Sequence, residues 1–151
     1  LATPFDETQA AVSPDGRFVA YASNEIGNAY DVIVQSFPNP AHGKWPISTN
    51  GGCCPRWKGD GTELYYINGE RRIVSVAVQT APNFKAGQPS ALGPTLGFNG
   101  SVRDFGGAYP YDVAADGQRF LLARQQAAST AGESVQRPIT VVLNWPATLK
   151  H

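Results

Sequence analysis

The sequence predicts an all-β chain built from repeated antiparallel units, on three observations. A tight turn that runs straight into a strand, Ser13-Pro14-Asp15-Gly16-Arg17-Phe18-Val19-Ala20-Tyr21, recurs as Lys58-Gly59-Asp60-Gly61-Thr62-Glu63-Leu64-Tyr65-Tyr66 and again as Ala114-Ala115-Asp116-Gly117-Gln118-Arg119-Phe120-Leu121-Leu122. Such self-similarity marks a repeat architecture. The 16 Gly and 12 Pro fall between short apolar runs, as in a chain of many strands joined by turns. No long segment carries the apolar period of a helix.

Each element follows from local chemistry. Thr8 to Ser13 predicts a short strand entering Pro14-Asp15-Gly16. There proline sets φ, aspartate bonds its own backbone and glycine takes φ > 0, which together make a turn. Phe18 to Ser23 alternates Phe18, Ala20 and Ala22 against Val19 and Tyr21, the period of a strand. The loop 24–28 leads to a strand over Tyr30 to Phe37, rich in β-branched residues. A turn at Pro38 to Gly43 and a short strand at Lys44 to Ser48 complete a four-stranded unit of the kind found in propeller blades. The cycle restarts with strands at Cys53 to Lys58, Glu63 to Asn68, Arg72 to Gln79 and Pro89 to Leu92, with a loop at Pro82 to Gly87 before the last. After a Gly-rich stretch, Gly93 to Gly107, a third cycle places strands at Tyr109 to Ala114, Arg119 to Arg124 and Pro138 to Trp145. The polar stretch Gln125 to Arg137 reads as a loop. The predicted units are 5–49, 50–93 and 108–151, with 1–4 the outer strand of a neighbouring unit.

Aligned on the Asp-Gly pairs, the units share apolar columns. Val12, Trp57 and Val113 predict core positions of the first strand, and Val19, Leu64 and Phe120 predict core positions of the second, as do Tyr21, Tyr66 and Leu122.

Bulk properties exclude several functions. Twelve Lys plus Arg balance twelve Asp plus Glu, so the chain lacks the basic excess that nucleic acids or anionic membrane surfaces require. No apolar run is long enough to span a membrane as a helix. No signal peptide is visible, and a chain starting at Leu1 reads as a piece of a longer protein. The two cysteines, Cys53 and Cys54, are neighbours, too close for an ordinary disulfide. Two free thiols in a strand are the first reading, and a vicinal redox disulfide is the alternative.

Catalytic signatures are missing. Asp104-Phe105-Gly106 matches a kinase triplet but stands without its partner motifs, and there is no Gly-x-Ser-x-Gly elbow. His42 and His151 lack companions at metal-ligand spacing, so neither metal nor cofactor is expected. Asp15, Asp60 and Asp116 are explained by their turns, and Trp45, Trp57 and Trp145 are expected in the core.

The run at 13–23 resembles the WD40-like PD40 repeat of TolB-type β-propellers. Pro110-Tyr111-Asp112-Val113, Asp116 to Leu121 and Pro138 to Trp145 resemble the C-terminal propeller of bacterial, acidobacterial-type serine/threonine protein kinases. Phe5 to Gln9, Gly43-Lys44-Trp45 and Ser48-Thr49 fit the same pattern, so the resemblance covers nearly the whole chain. Gly59 and Ala115 stand where the repeat has proline, and Cys53-Cys54 stands where it has small polar residues.

The resemblance implies a β-propeller fragment of three four-stranded blades, half of a six-bladed ring, in a periplasmic or extracytoplasmic part of a larger bacterial protein. The complementary ends, a spare strand at 1–4 and a third blade without a fourth strand, predict a homodimer that closes the ring. In the first-strand column next to the central channel, Arg56 and Asp112 replace Ala11. They read either as an inter-blade ion pair or channel wall, or as residues that hold a protein, peptide or small ligand at the channel mouth, with Tyr109 and Tyr111 as aromatic contacts. The expected function is therefore a non-catalytic recognition module of sensor or scaffold type. The alternatives are a propeller regulating a separate hydrolase or peptidase domain, and a self-assembling structural module.

Overall fold

A computed structural model describes residues 4–27, 29–96, 109–123 and 139–143, and these are all-β with antiparallel sheets. The first sheet runs β1 (Glu7–Val12), β2 (Phe18–Ser23), β3 (Asp31–Ser36), β4 (Lys44–Pro46) in sequence order. The second comprises β5 (Gly52–Trp57), β6 (Glu63–Asn68), β7 (Ile73–Gln79), β8 (Lys85–Ala86) and β9 (Ser90–Leu92). Both short strands pair with β7, β9 through Ile73↔Leu92 and β8 through Val78↔Ala86, so the outer rank is split between them. The third holds β10 (Tyr111–Val113), β11 (Arg119–Ala123) and β12 (Ile139–Leu143). The expected three four-stranded units are thus met in the first sheet, while the second has five strands and the third has three among the described residues. Most of the 1–4 strand, the stretches 97–108 and 125–137 with Asp104-Phe105-Gly106, and Trp145 to His151 lie outside the described residues.

The three Asp-Gly turns share one design. Gly16, Gly61 and Gly117 take φ of 70°, 72° and 72°, and their N–H groups donate to the carbonyls of Ser13, Lys58 and Ala114 at 2.8–2.9 Å. Each aspartate accepts from the backbone two residues on: Asp15 from Arg17 N (3.1 Å), Asp60 from Thr62 N (2.9 Å), Asp116 from Gln118 N (2.9 Å). For Asp15, partial burial works to raise the pKa, but bonds from Ser13, Arg17 and Thr80 outweigh it and hold the carboxyl at about 2. Asp60 is held at about 2 by the Thr62 hydroxyl and N–H and by Lys58.

The turns also stack on one another. Pro14 Cδ lies 3.6 Å from a Cβ built on Gly61, and Gly59 N donates to Ala115 O at 3.0 Å. This accounts for Gly59 where the first repeat has proline. Proline has no N–H to give, and a Cβ here would sit 2.8 Å from both the Cβ and the carbonyl oxygen of Ala115. Gly59→Ala is expected to destabilise the fold by about 1–3 kcal/mol through this overpacking, read by urea unfolding. Gly27→Ala, which meets nothing within 4 Å, is the neutral control.

The second sheet is the middle layer, and strand alternation decides what it faces. Leu64 and Tyr66 join Val74, Val76 and Val78 against Phe18, Ala20, Val32, Val34 and Ile47 of the first sheet and its β4–β5 connection. Tyr65, Ile67, Ile73, Cys53 and Cys54 pack toward Tyr111 and Phe120 of the third. Tyr65 and Phe120 meet edge to face, 5.2 Å between centroids and 86° between planes. A strand buried on both faces must be apolar on both, as Leu64-Tyr65-Tyr66-Ile67 is. Phe84 lies in the predicted loop, yet it is only 5% exposed. Its ring lies 5.1 Å from Phe18 and 4.8 Å from Trp45, and β8 forms beside it.

The crossing from the first to the second sheet is organised by a buried carboxylate. Asp31 Oδ1 accepts from Ser48 Oγ (2.7 Å) and Gly51 N (3.1 Å), while Ser48 Oγ accepts from Val32 N (2.8 Å).

One local expectation needs correction, and two local features refine the others. Val12 is 52% exposed rather than core, because β1 buries only Gln9 fully and Val12 ends the strand pointing outward. Residues 40–42 form a 3-10 turn, capped by Asn39 Oδ1 accepting from Ala41 N at 3.1 Å. The first strands of the first two sheets are not regular. β1 is bulged at Gln9 (φ 56°) and β5 at Cys54 (φ 61°), both six residues before their Asp. In the third unit that position is Pro110, whose ring forbids positive φ, and β10 pairs without a shift.

Candidate functional site

The first strands of the three sheets converge, and their side chains tie them together. Gln9 Oε1, on the β1 bulge, accepts from Cys54 N on the β5 bulge at 3.0 Å. Cys54 O in turn accepts from Tyr111 Oη on β10 at 2.9 Å. Trp57 Nε1 donates to Ala11 O at 2.9 Å, and Tyr109 Oη donates to Ala10 O at 3.4 Å. Each sheet therefore satisfies main-chain groups of another, and these bonds fix the geometry of the surface above.

On that surface Arg56, Tyr109 and Asp112 form one cluster. The Arg56 guanidinium carbon lies 3.3 Å from the Tyr109 ring centroid, a close cation–π stack. Its Nε is 3.1 Å from Asp112 Oδ1. The approach is too oblique for a hydrogen bond, so the contact is an ion pair and the buried Nε–H has no hydrogen-bond acceptor among the described residues. The Asp112 side chain is 64% exposed and that of Arg56 26%, so one end of the pair is open to solvent. Burial raises the Tyr109 pKa, against the pull of Arg56, and burial raises that of Tyr111 well above the ordinary phenol, so both hydroxyls stay neutral at physiological pH.

The structure brings together three of the four sequence-predicted residues. Tyr111 does not join the surface: it is 3% exposed, packs with the cysteines and spends its hydroxyl on Cys54. It positions the cluster from beneath instead of lining it. A tyrosine next to Asp112 in sequence points to the opposite face of the strand, which is why adjacency misled.

The cysteines lie just below. Both are free and buried, and their sulfurs approach to 2.6 Å. The Cys54 thiol bonded to it and burial together push the Cys53 thiol far above its ordinary pKa. Among the described residues no group of three His, Cys, Asp or Glu side chains could hold a metal ion. No described helix is long and apolar enough to cross a membrane.

One feature had no sequence signal. A cleft of about 400 Å³ opens between the first two sheets, lined by Arg17, Phe37, His42, Trp45, Asn83 and Phe84 among others. Polar groups at its rim bond within the protein: His42 Nε2 lies 3.2 Å from Asn39 Nδ2, and Arg17 reaches the Thr80 carbonyl. Among known proteins, no family model and no curated protein matches the sequence.

Proposed function

We propose that the chain is a three-bladed segment of a β-propeller and serves as a non-catalytic recognition module. It would grip a loop or peptide of a partner protein at the Arg56–Tyr109–Asp112 cluster. The observation that carries this reading is the convergence of the first strands of the three sheets, with Tyr109 just before the third, on a charged, aromatic, half-open surface. A rigid aromatic under an arginine, flanked by an exposed carboxylate, is the composition of binding hot spots. The scaffold beneath it is already hydrogen-bonded in place, so little ordering is needed on binding.

The segment is completed by a second copy, giving a six-bladed ring in an extracytoplasmic part of a larger protein. Support comes from apolar side chains left exposed in the first and third units, Phe5 and Val12 at 45% and 52% and Leu121 at 43%. Exposed apolar side chains in the first and last units suit a closed, head-to-tail pair.

Sedimentation and peptide selection test the two parts. The isolated chain should sediment at twice the mass of a single copy, and a stable monomer overturns ring closure. Peptides selected from a displayed library on the wild-type chain should bind Arg56→Ala about tenfold or more weakly. Equal binding to both removes the cluster as the site.

A further inference from the structure

We infer that Cys53 and Cys54 form a reversible redox modification site, a vicinal dithiol that closes to a disulfide with a low-molecular-weight disulfide as oxidant. Neighbouring residues of a regular strand point to opposite faces, so two adjacent cysteines should be separated by the sheet. Here they are not. The β5 ladder slips between Cys53 and Arg56, leaving Cys54 and Pro55 together opposite Tyr66. Cys54 takes φ 61°, and this reversal swings its side chain to the side of Cys53. The sulfurs come to 2.6 Å, inside the contact distance of two non-bonded sulfurs. β1 carries the same bulge with Gln9 in this place, so the backbone geometry exists without the cysteines and pairs them when they are present.

The surroundings select this chemistry over others. Both residues are 0% exposed. The apolar residues packed with them include Ala22, Tyr65, Ile67, Ile73, Tyr111 and Phe120, and among the described residues no third His, Cys, Asp or Glu joins them as a metal ligand. Cys53 is held as the thiol by its partner and by burial, and burial of both sulfurs keeps an oxidant away from the resting pair. Reaction proceeds through opening of the bulged end of β5, where the ladder is already interrupted. In that opening one cysteine thiolate attacks the oxidant's sulfur and releases a thiol. The second cysteine then attacks the mixed disulfide, its proton going to solvent, and releases the second thiol. Two protein thiols are oxidised to one disulfide, and one small disulfide is reduced to two thiols. The Cα spacing of adjacent residues strains the ring, which makes it easy to reduce and therefore reversible.

Closure reaches the surface above. Cys54 N is held by Gln9 and Cys54 O by Tyr111, so turning this peptide to form the ring disturbs the bonds that join β5 to β1 and β10.

The test uses the full chain, reduced and then incubated natively with a large excess of glutathione disulfide. The intact mass should fall by two hydrogens, with no glutathione adduct. Alkylation after unfolding should then tag neither cysteine, and reduction should restore two tags. The fragment spanning residues 53–54 should carry the loss. Two tags after oxidation, a persistent glutathione adduct, or a disulfide-linked dimer each overturn the proposal. The wild-type mass decides without any variant. Cys54→Ser should end as a single glutathione adduct or an unmodified thiol, never as the two-hydrogen loss.

Discussion

Alanine in place of Phe84 is expected to cost about 3–5 kcal/mol of stability, the usual range for a buried phenylalanine. The ring is 5% exposed and sits between Phe18 and Trp45, at 5.1 and 4.8 Å. Its loss removes buried area and two aromatic contacts, each worth about 0.5–1.5 kcal/mol beyond burial. The cavity cannot collapse easily, because Trp45 is already seated against Gly43, where a built Cβ would lie 2.5 Å from the indole. Urea unfolding should show a lower midpoint with an unchanged slope. Phe84→Leu should lose distinctly less. A loss under about 1 kcal/mol for the alanine variant would mean that the seam between the first two sheets does not depend on this ring.

Asp31→Ala is the second large effect, at about 2–4 kcal/mol. Oδ1 holds both the Ser48 hydroxyl and the Gly51 N–H, and Ser48 in turn holds Val32 N–H. Deleting one acceptor therefore strands two donors in a site where Asp31 is 5% exposed and Ser48 4%. Asp31→Asn keeps an oxygen in place and should recover much of the loss, which separates hydrogen bonding from charge. Hydrogen exchange at the Gly51 amide gives the local reading: it should quicken strongly in the alanine variant and little in the asparagine one. Equal protection in all three proteins would exclude Asp31 as the organiser of the crossing.

These two residues show where sequence reading stops. Turns are local, so Asp15-Gly16, Asp60-Gly61 and Asp116-Gly117 announced themselves through the chemistry of two residues each. The strands next to them, Phe18–Ser23 and Glu63–Asn68, were bounded correctly to the residue. Phe84 was not legible, because Pro82 and Gly87 around it speak for a loop and only the distant Phe18 and Trp45 make it core. Asp31 reads as the start of a strand, and its role depends on Ser48 and Gly51, far along the chain. At the candidate site, the shared column of Arg56 and Asp112 foretold their pairing, since equivalent positions of stacked units come together. The burial of Tyr111 is legible only through alternation, since its neighbour Asp112 faces outward; as a residue type tyrosine suits either face. The bulges were invisible as well: nothing in Gln9 or Cys54 as residue types demands positive φ.

The order Cys54-Pro55 at the β5 bulge gives that strand a direction. The bulge site requires φ near 61°, which Cys54 adopts and which the ring of Pro55, fixed at about −65°, refuses. If tension from the N-terminal side drew β5 forward by one residue, Pro55 would be pulled into the site and the movement would stop. The strand behaves as a pawl, barred from slipping one way. β1, with Ala10 after Gln9, carries the same notch without the tooth.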